Sequence, residues 1–150
     1  MTTTIHTTLS IKSPAFGHND FIPSKYSCDG DNINPEIHIG NLPEDTESLV
    51  LIMDDPDAPH GTYDHWLMWN IPPTDKIAEN STPGVEGNNS AMRTKYTGPC
   101  PPGGLHHYHF KIFALDSKLN LRRGSNKDSL ISAMDGHIKA YGKLIGLYRK

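Results

Sequence analysis

Proline and glycine interrupt this chain so often before residue 105 that no long helix fits there. Turns are signalled at Ser13-Pro14, Ile22-Pro23, Asp29-Gly30, Asn34-Pro35, Leu42-Pro43, Pro72-Pro73, Pro83-Gly84 and from Gly98 to Gly104. The intervals hold short apolar or alternating runs at residues 36–40, 49–54, 63–71 and 108–115, which read as strands. A mainly β fold with minor α (α+β) is therefore expected. Residues 74–93 are polar and rich in Gly and Asn, and are expected to form a long surface loop. No repeat or linker divides residues 1–150, so one domain is expected.

Helical spacing is confined to the C-terminal part. Ser125 or Asn126 supplies a cap, and Leu130, Met134, Ile138, Tyr141, Ile145 and Tyr148 recur at three- or four-residue intervals. Gly136, Gly142 and Gly146 each cost about 1 kcal/mol inside a helix. The spacing therefore predicts a helix to about residue 140, with a tail that can finish as a strand.

Charge and composition exclude several function classes. The formal charge is -3 and the longest basic run is the pair Arg122-Arg123, so the footprint of a nucleic-acid binder is missing. No stretch approaches the roughly 18 apolar residues of a membrane span, and Met1 to Ser10 is Thr-rich without a basic or apolar leader pattern. A cytoplasmic address is the expectation. Cys28 and Cys100 lie too far apart for a CxxC pair, and are expected to be two ordinary thiols.

The chemistry gathers where three apolar strands run into polar ends. In LVLIMDDPDAP, alternation puts Leu49, Leu51, Met53 and Asp55 on one face. In HWLMWNI it puts His65, Leu67, Trp69 and Ile71 together, with Trp66 and Met68 opposite, as in a central strand covered on both sides. In HHYHFKIFAL it groups His106, Tyr108, Phe110, Ile112 and Ala114, with His107, His109 and Lys111 turned the other way. If the strands at 49–55 and 65–71 pair as a hairpin, Asp55 and His65 meet at one end of the sheet. An apolar floor with a few polar groups at its mouth is how small-ligand pockets are built.

These groups suit a phosphate-bearing ligand. Carboxylates raise a neighbouring histidine's pKa, so Asp55 and Asp57 are expected to keep His65 or His106 partly protonated. Imidazolium groups and the Tyr108 hydroxyl then donate to phosphate oxygens, and the Gly98 to Gly104 loop can offer backbone N–H groups. The carboxylates themselves repel phosphate. They must orient the histidines or share a proton with the ligand.

Four ordered motifs resemble one family. DPDAP at Asp55 to Pro59, HWLMWNIP at His65 to Pro72, GPCPPGGLHHYHF at Gly98 to Phe110 and CDGDNINPEI at Cys28 to Ile37 are similar to the phosphatidylethanolamine-binding protein family, also called Raf kinase inhibitor-like, in its bacterial or archaeal branch. The resemblance implies a large antiparallel Greek-key sheet packed on a smaller one, a C-terminal helix, and a site at the sheet's end for phosphate or the phosphoryl head of a phospholipid. Carried over residue by residue, that site comprises Asp55, Asp57, His65, Gly98, His106 and Tyr108. It also admits a protein partner such as a kinase. Members commonly read HRY where this chain has His107, so a fixed positive charge there is not implied.

Other readings compete. Asp55, His65 and His106 could form a buried network that only stiffens loops. A His/Asp cluster, or His107 with His109, could take zinc, although the usual ligand spacing is missing. A phosphoester or ester hydrolase needs a nucleophile beside a base, for which Cys100 near His106 and Ser27 near Cys28 are the only hints. Trp66 and Trp69 are most simply core. No cofactor is expected, and short exposed strands permit a homodimer without selecting one.

Overall fold

The computed structural model describes residues 7–150. Ten strands alternate with turns: β1 (Thr7–Thr8), β2 (Ser10–Lys12), β3 (Asp20–Phe21), β4 (Ile37–Gly40), β5 (Ser48–Asp55), β6 (Tyr63–Ile71), β7 (Lys76–Ile77), β8 (Val85–Glu86), β9 (Leu105–Leu115) and β10 (Ile138–Arg149). Among the described residues one α-helix, α1 (Lys127–Met134), precedes β10, and a single 3-10 turn spans Ser24–Tyr26. The large sheet runs β1-β10-β9-β5-β6-β8, with β3 also on β10, and the small sheet runs β2-β4-β7. The long strands β10, β9, β5 and β6 pair antiparallel, while the short β1 and β3 join β10 in parallel.

Alternation along the long strands builds two cores. Leu49, Leu51 and Met53 of β5 and Tyr108, Phe110, Ile112 and Ala114 of β9 face the small sheet, where Ile11, Ile37, Ile39 and Ile77 meet them. On the other face, Val50, Ile52, Leu67 and Trp69 pack against Leu130 and Met134 of α1. Both faces of the sheet are thus covered, and all eight residues of β5 are buried. Burying an aliphatic or aromatic side chain of this size contributes roughly 1.5–3 kcal/mol. The strand read as central, β6, is second from the edge with only the two-residue β8 outside it; its two apolar sides reflect the two layers above and below.

The helix is shorter than its spacing suggested. Asn126 caps it by accepting a hydrogen bond from the Ser129 N–H at 3.0 Å, and it ends at Met134 instead of near residue 140. Gly136, with φ of 82°, turns the chain out of the helix. The chain then enters a twelve-residue strand in which Ala140, Gly142, Leu144, Gly146 and Tyr148 alternate inward. Two of these positions require glycine. A Cβ on Gly142 would lie 2.3 Å from the Leu9 carbonyl oxygen, and one on Gly146 2.5 Å from Ile22.

Two further expectations are corrected. Residues 74–93 are not wholly a surface loop: they carry β7 and β8, and Ile77, Gly87 and Asn89 are buried. Cys28 and Cys100 are not free thiols but a disulfide, with Cα atoms 5.4 Å apart across 72 residues of sequence. The loop carrying Cys28 is held beside residues 96–100 by other bonds as well. The Cys28 N–H donates to the Pro99 carbonyl, the Gly98 N–H to Asn32 Oδ1, and the Tyr96 hydroxyl to the Tyr26 carbonyl. Among the described residues, no helix is long and apolar enough to cross a membrane.

Candidate functional site

Asp55 ends β5, His106 and Tyr108 open β9, and His65 lies near the start of β6; the antiparallel order of β9, β5 and β6 brings these tips to one end of the large sheet. There they line a cavity of about 450 Å³. Its walls are the 58–63 connection, Ser90 and Thr97 of the preceding loop, and Gly98, Cys100, Pro101 and Pro102 beside the disulfide. Asp55, His65, His106 and Tyr108 are buried polar groups on its floor.

Asp55 and His106 form a close, buried pair on the floor. Asp55 Oδ2 lies 2.6 Å from His106 Nδ1, and Oδ1 accepts the Asp57 N–H at 2.8 Å. The second His106 nitrogen, Nε2, faces the Gly103 carbonyl at 3.2 Å. Both nitrogens therefore meet acceptor groups.

His65 reaches the same cavity by a route that simple alternation misses. Met53 pairs with Trp66 but Asp54 pairs with Asp64, so a bulge at residues 64–65 lets His65 leave the face of Leu67 and Trp69. A second irregularity, where Leu49 pairs with Ile71 and Leu51 with Met68, contains Asn70 at φ of 54° and turns Ile71 to the face of Leu49. The His65 ring then sits between Tyr63 and Tyr108, with centroids 4.9 and 5.2 Å away.

Protonation of His65 runs against expectation. Burial pushes its pKa below the usual histidine value, outweighing the hydrogen bond to Thr97 and the pull of Asp55, Asp54 and Asp64. Its Nδ1 lies 2.6 Å from the Thr97 carbonyl, which can only accept, so the neutral ring carries its proton on Nδ1. Nε2 is left as an acceptor. Burial first, then Asp55 and Asp57, raise the Tyr108 hydroxyl, which stays protonated and able to donate.

Two anticipated site residues are placed differently. Asp57 does not line the cavity: its Oδ2 accepts the backbone N–H of His107 at 2.8 Å and lies 2.7 Å from its Nδ1. Desolvation works to raise this carboxyl, but the bonds from His107 outweigh it and hold it low. Gly98 does line the cavity, yet its N–H is already engaged by Asn32 Oδ1 at 2.8 Å. Its lack of a side chain serves packing, since a Cβ there would lie 2.1 Å from the Tyr26 carbonyl oxygen.

Sequence reasoning missed the residue that organises the cavity's wall. Asn89, buried in the segment read as a surface loop, donates from Nδ2 to His65 O, Lys95 O and Thr97 Oγ1. Its Oδ1 accepts the N–H groups of Ala91 and Arg93. The 89–97 loop is thereby sewn to the bulge that carries His65. Nothing in the local Gly-Asn-Asn-Ser sequence distinguishes it from an exposed turn. Among the described residues, no group of three or more His, Cys, Asp or Glu side chains is arranged to hold a metal ion.

The fold and the cavity define a class: a two-sheet β protein with a cavity at the strand ends of its larger sheet. The family model described as phosphatidylethanolamine-binding protein matches residues 12–149, and the chain belongs to that family. It is 47% identical over 154 residues to a UPF0098 protein of Pyrococcus horikoshii, covering 95% of this chain and 78% of that one. It is 42% identical over 150 residues to a UPF0098 protein of Methanothermobacter thermautotrophicus, covering 95% and 99%. The crystal structure of a putative phosphatidylethanolamine-binding protein homologue from Chlamydia trachomatis superposes with a TM-score of 0.92 at 39% identity, covering 96% of this chain and 99% of that one. The fold is shared as well with YbcL of E. coli, at a TM-score of 0.88 and 24% identity over 96% and 99% of the two chains.

Proposed function

We propose that this chain is a non-catalytic binding protein for a small phosphoryl-bearing ligand, either free phosphate or a phosphorylated head group. The observation that carries this reading is the convergence of Asp55, His65, His106 and Tyr108 on one open cavity of about 450 Å³. The volume accommodates a phosphoryl group with a short substituent. Tyr108, Thr97, Ser90, Tyr63 and Thr62, all bearing hydroxyl groups, are among its lining residues. The name of the matched family, phosphatidylethanolamine-binding, supports the same ligand chemistry.

The hydrolase reading is weaker on chemical grounds. Cys100 is tied to Cys28 and offers no thiolate, and the Ser27 hydroxyl bonds to Ser24 O and the Tyr148 hydroxyl with no histidine beside it. Two measurements test the proposal. Phosphate, phosphoethanolamine and a nucleotide are titrated while the imidazole resonances of His65 and His106 are followed; at least one should move both rings, and His106→Ala, folded by circular dichroism, should bind none. Turnover of a chromogenic phosphoester or ester that disappears in Asp55→Ala would replace the binding reading with an enzymatic one.

A further inference from the structure

We infer that the pocket selects a tetrahedral oxyanion that still carries a proton, a phosphoryl monoanion, over an oxyanion of the same shape with no proton to give. This rests on the phosphoryl-binding reading and narrows it to one ionic form. Donors and acceptors on the cavity floor decide it.

The floor is rich in acceptors. Asp55 is acceptor-only as a carboxylate, and each of its oxygens has one protein partner, leaving a lone pair on each. His65 presents Nε2 as an acceptor because the Thr97 carbonyl engages Nδ1. That tautomer is fixed by the wall itself: the Thr97 N–H donates back to the His65 carbonyl at 3.2 Å, and Asn89 ties the two residues together through His65 O and Thr97 Oγ1. The groups facing His65 are Asp55 on β5, the Tyr108 ring on β9, Tyr63 beside it on β6 and Thr97 on the loop, with Asp54 and Asp64 as the next charges. None is a cation.

The donors are neutral. Tyr108 has its hydroxyl hydrogen to give, and the hydroxyls of Ser90 and Thr97 each accept one backbone or amide hydrogen and keep their own. No lysine or arginine is among the described lining residues, so no fixed cation balances a dianion. If the imidazole of His106 is charged, its charge is matched by Asp55 at 2.6 Å. An oxyanion placed over this floor meets hydroxyl donors on some oxygens and the Asp55 and His65 lone pairs on another. An oxygen without a hydrogen, set against an acceptor, is repelled; a P–OH donates there instead.

Sulfate and phosphate monoanion have nearly the same size, and only the latter retains hydrogens below neutral pH. Calorimetric titrations at slightly acidic pH and matched ionic strength should therefore compare inorganic phosphate with sulfate, and phosphoethanolamine with ethanolamine O-sulfate. The stronger phosphoryl probe identifies the source, free phosphate or head group. In that pair the phosphoryl member should bind at least about tenfold tighter than the sulfate member. A smaller ratio overturns this inference and leaves the phosphoryl-binding reading intact. If neither phosphoryl probe binds, both fall together. Asp55→Asn, which replaces an acceptor by an amide able to donate, should move the ratio towards one; an unchanged ratio overturns the assignment to Asp55.

Discussion

Asp54 and Asp55 are consecutive in β5, yet their carboxylates serve opposite faces of the sheet. Asp55 turns to His106 in the cavity, while Asp54 Oδ2 accepts from Lys111 at 3.0 Å and from Lys127, at the start of α1, at 2.8 Å. Lys127 also bridges to Asp64 at 3.0 Å, next to His65. The helix is thus tied to both strand tips behind the pocket. With the Asp54 side chain only 2% exposed, its charge depends on these two amines.

Because the two lysines share one buried carboxylate, their substitutions should not add. Lys111→Ala or Lys127→Ala alone leaves Asp54 one partner, and each should cost about 1 kcal/mol. Removing both leaves a buried charge unpaired, for which about 3–5 kcal/mol is expected. Urea titrations of the wild type, both single variants and the double variant measure the difference. Strictly additive losses would show that Asp54 does not depend on the pair.

The lowered pKa of His65 makes stability fall on the acid side of neutrality. Above the unfolded-state value of about 6.5 the ring is neutral in both states and contributes nothing to the slope. As pH drops below it, the unfolded chain takes up a proton that the buried ring does not, and stability is lost until the folded-state value is passed. Urea midpoints measured from neutral to mildly acid pH should decline, and the decline should be shallower in His65→Gln. Equal slopes in the two proteins would contradict burial as the cause.

Much of this was legible because side-chain alternation is a two-residue signal. The strands at 49–54, 63–71 and 108–115 carry apolar or alternating runs, and Asp55 and His106 each stand at the polar end of an apolar stripe, so their meeting comes from antiparallel pairing. The face of His65 was not legible, since a single bulged residue reverses every side chain beyond it. In β10 the inward positions 142 and 146 are glycines, which hide the two-residue pattern and leave Ile138, Tyr141, Ile145 and Tyr148 to mimic a helix. Asp57 sits one turn past β5, where no periodicity says which partner it will find. The Cys28–Cys100 pairing joins segments 72 residues apart, and no local spacing encodes that.

The disulfide closes a long loop, and chain-entropy arguments give such a cross-link a stabilisation of about 4–5 kcal/mol. The hydrogen bonds of Cys28, Gly98 and Tyr96 to the opposite segment use backbone and oxygen groups and not the sulfur atoms. Cys28→Ser/Cys100→Ser should therefore fold with a lowered melting temperature, and reductant should lower the wild type to the same value. Since Cys100 also lines the cavity, phosphate affinity in the variant reports how far the disulfide shapes that wall. An unchanged melting temperature would mean that the hydrogen bonds alone define the loop pairing.

Asn89 offers the sharpest separation between a loop residue and a residue that positions the site. Its amide serves five backbone or side-chain partners, and truncation strands several of them in a buried place. A loss of about 2–3 kcal/mol is expected for Asn89→Ala from unsatisfied groups of this kind. Ser90→Ala, next in sequence, removes the acceptor for the Asp64 N–H at an exposed position and should cost under about 1 kcal/mol of stability. The imidazole spectrum distinguishes the two roles. If Asn89 fixes the Thr97 carbonyl that holds the proton on His65 Nδ1, its loss shifts the His65 tautomer balance and nitrogen resonances while those of the distant His38 and His137 stay in place. Loss of stability with unmoved His65 resonances would make Asn89 a structural residue only.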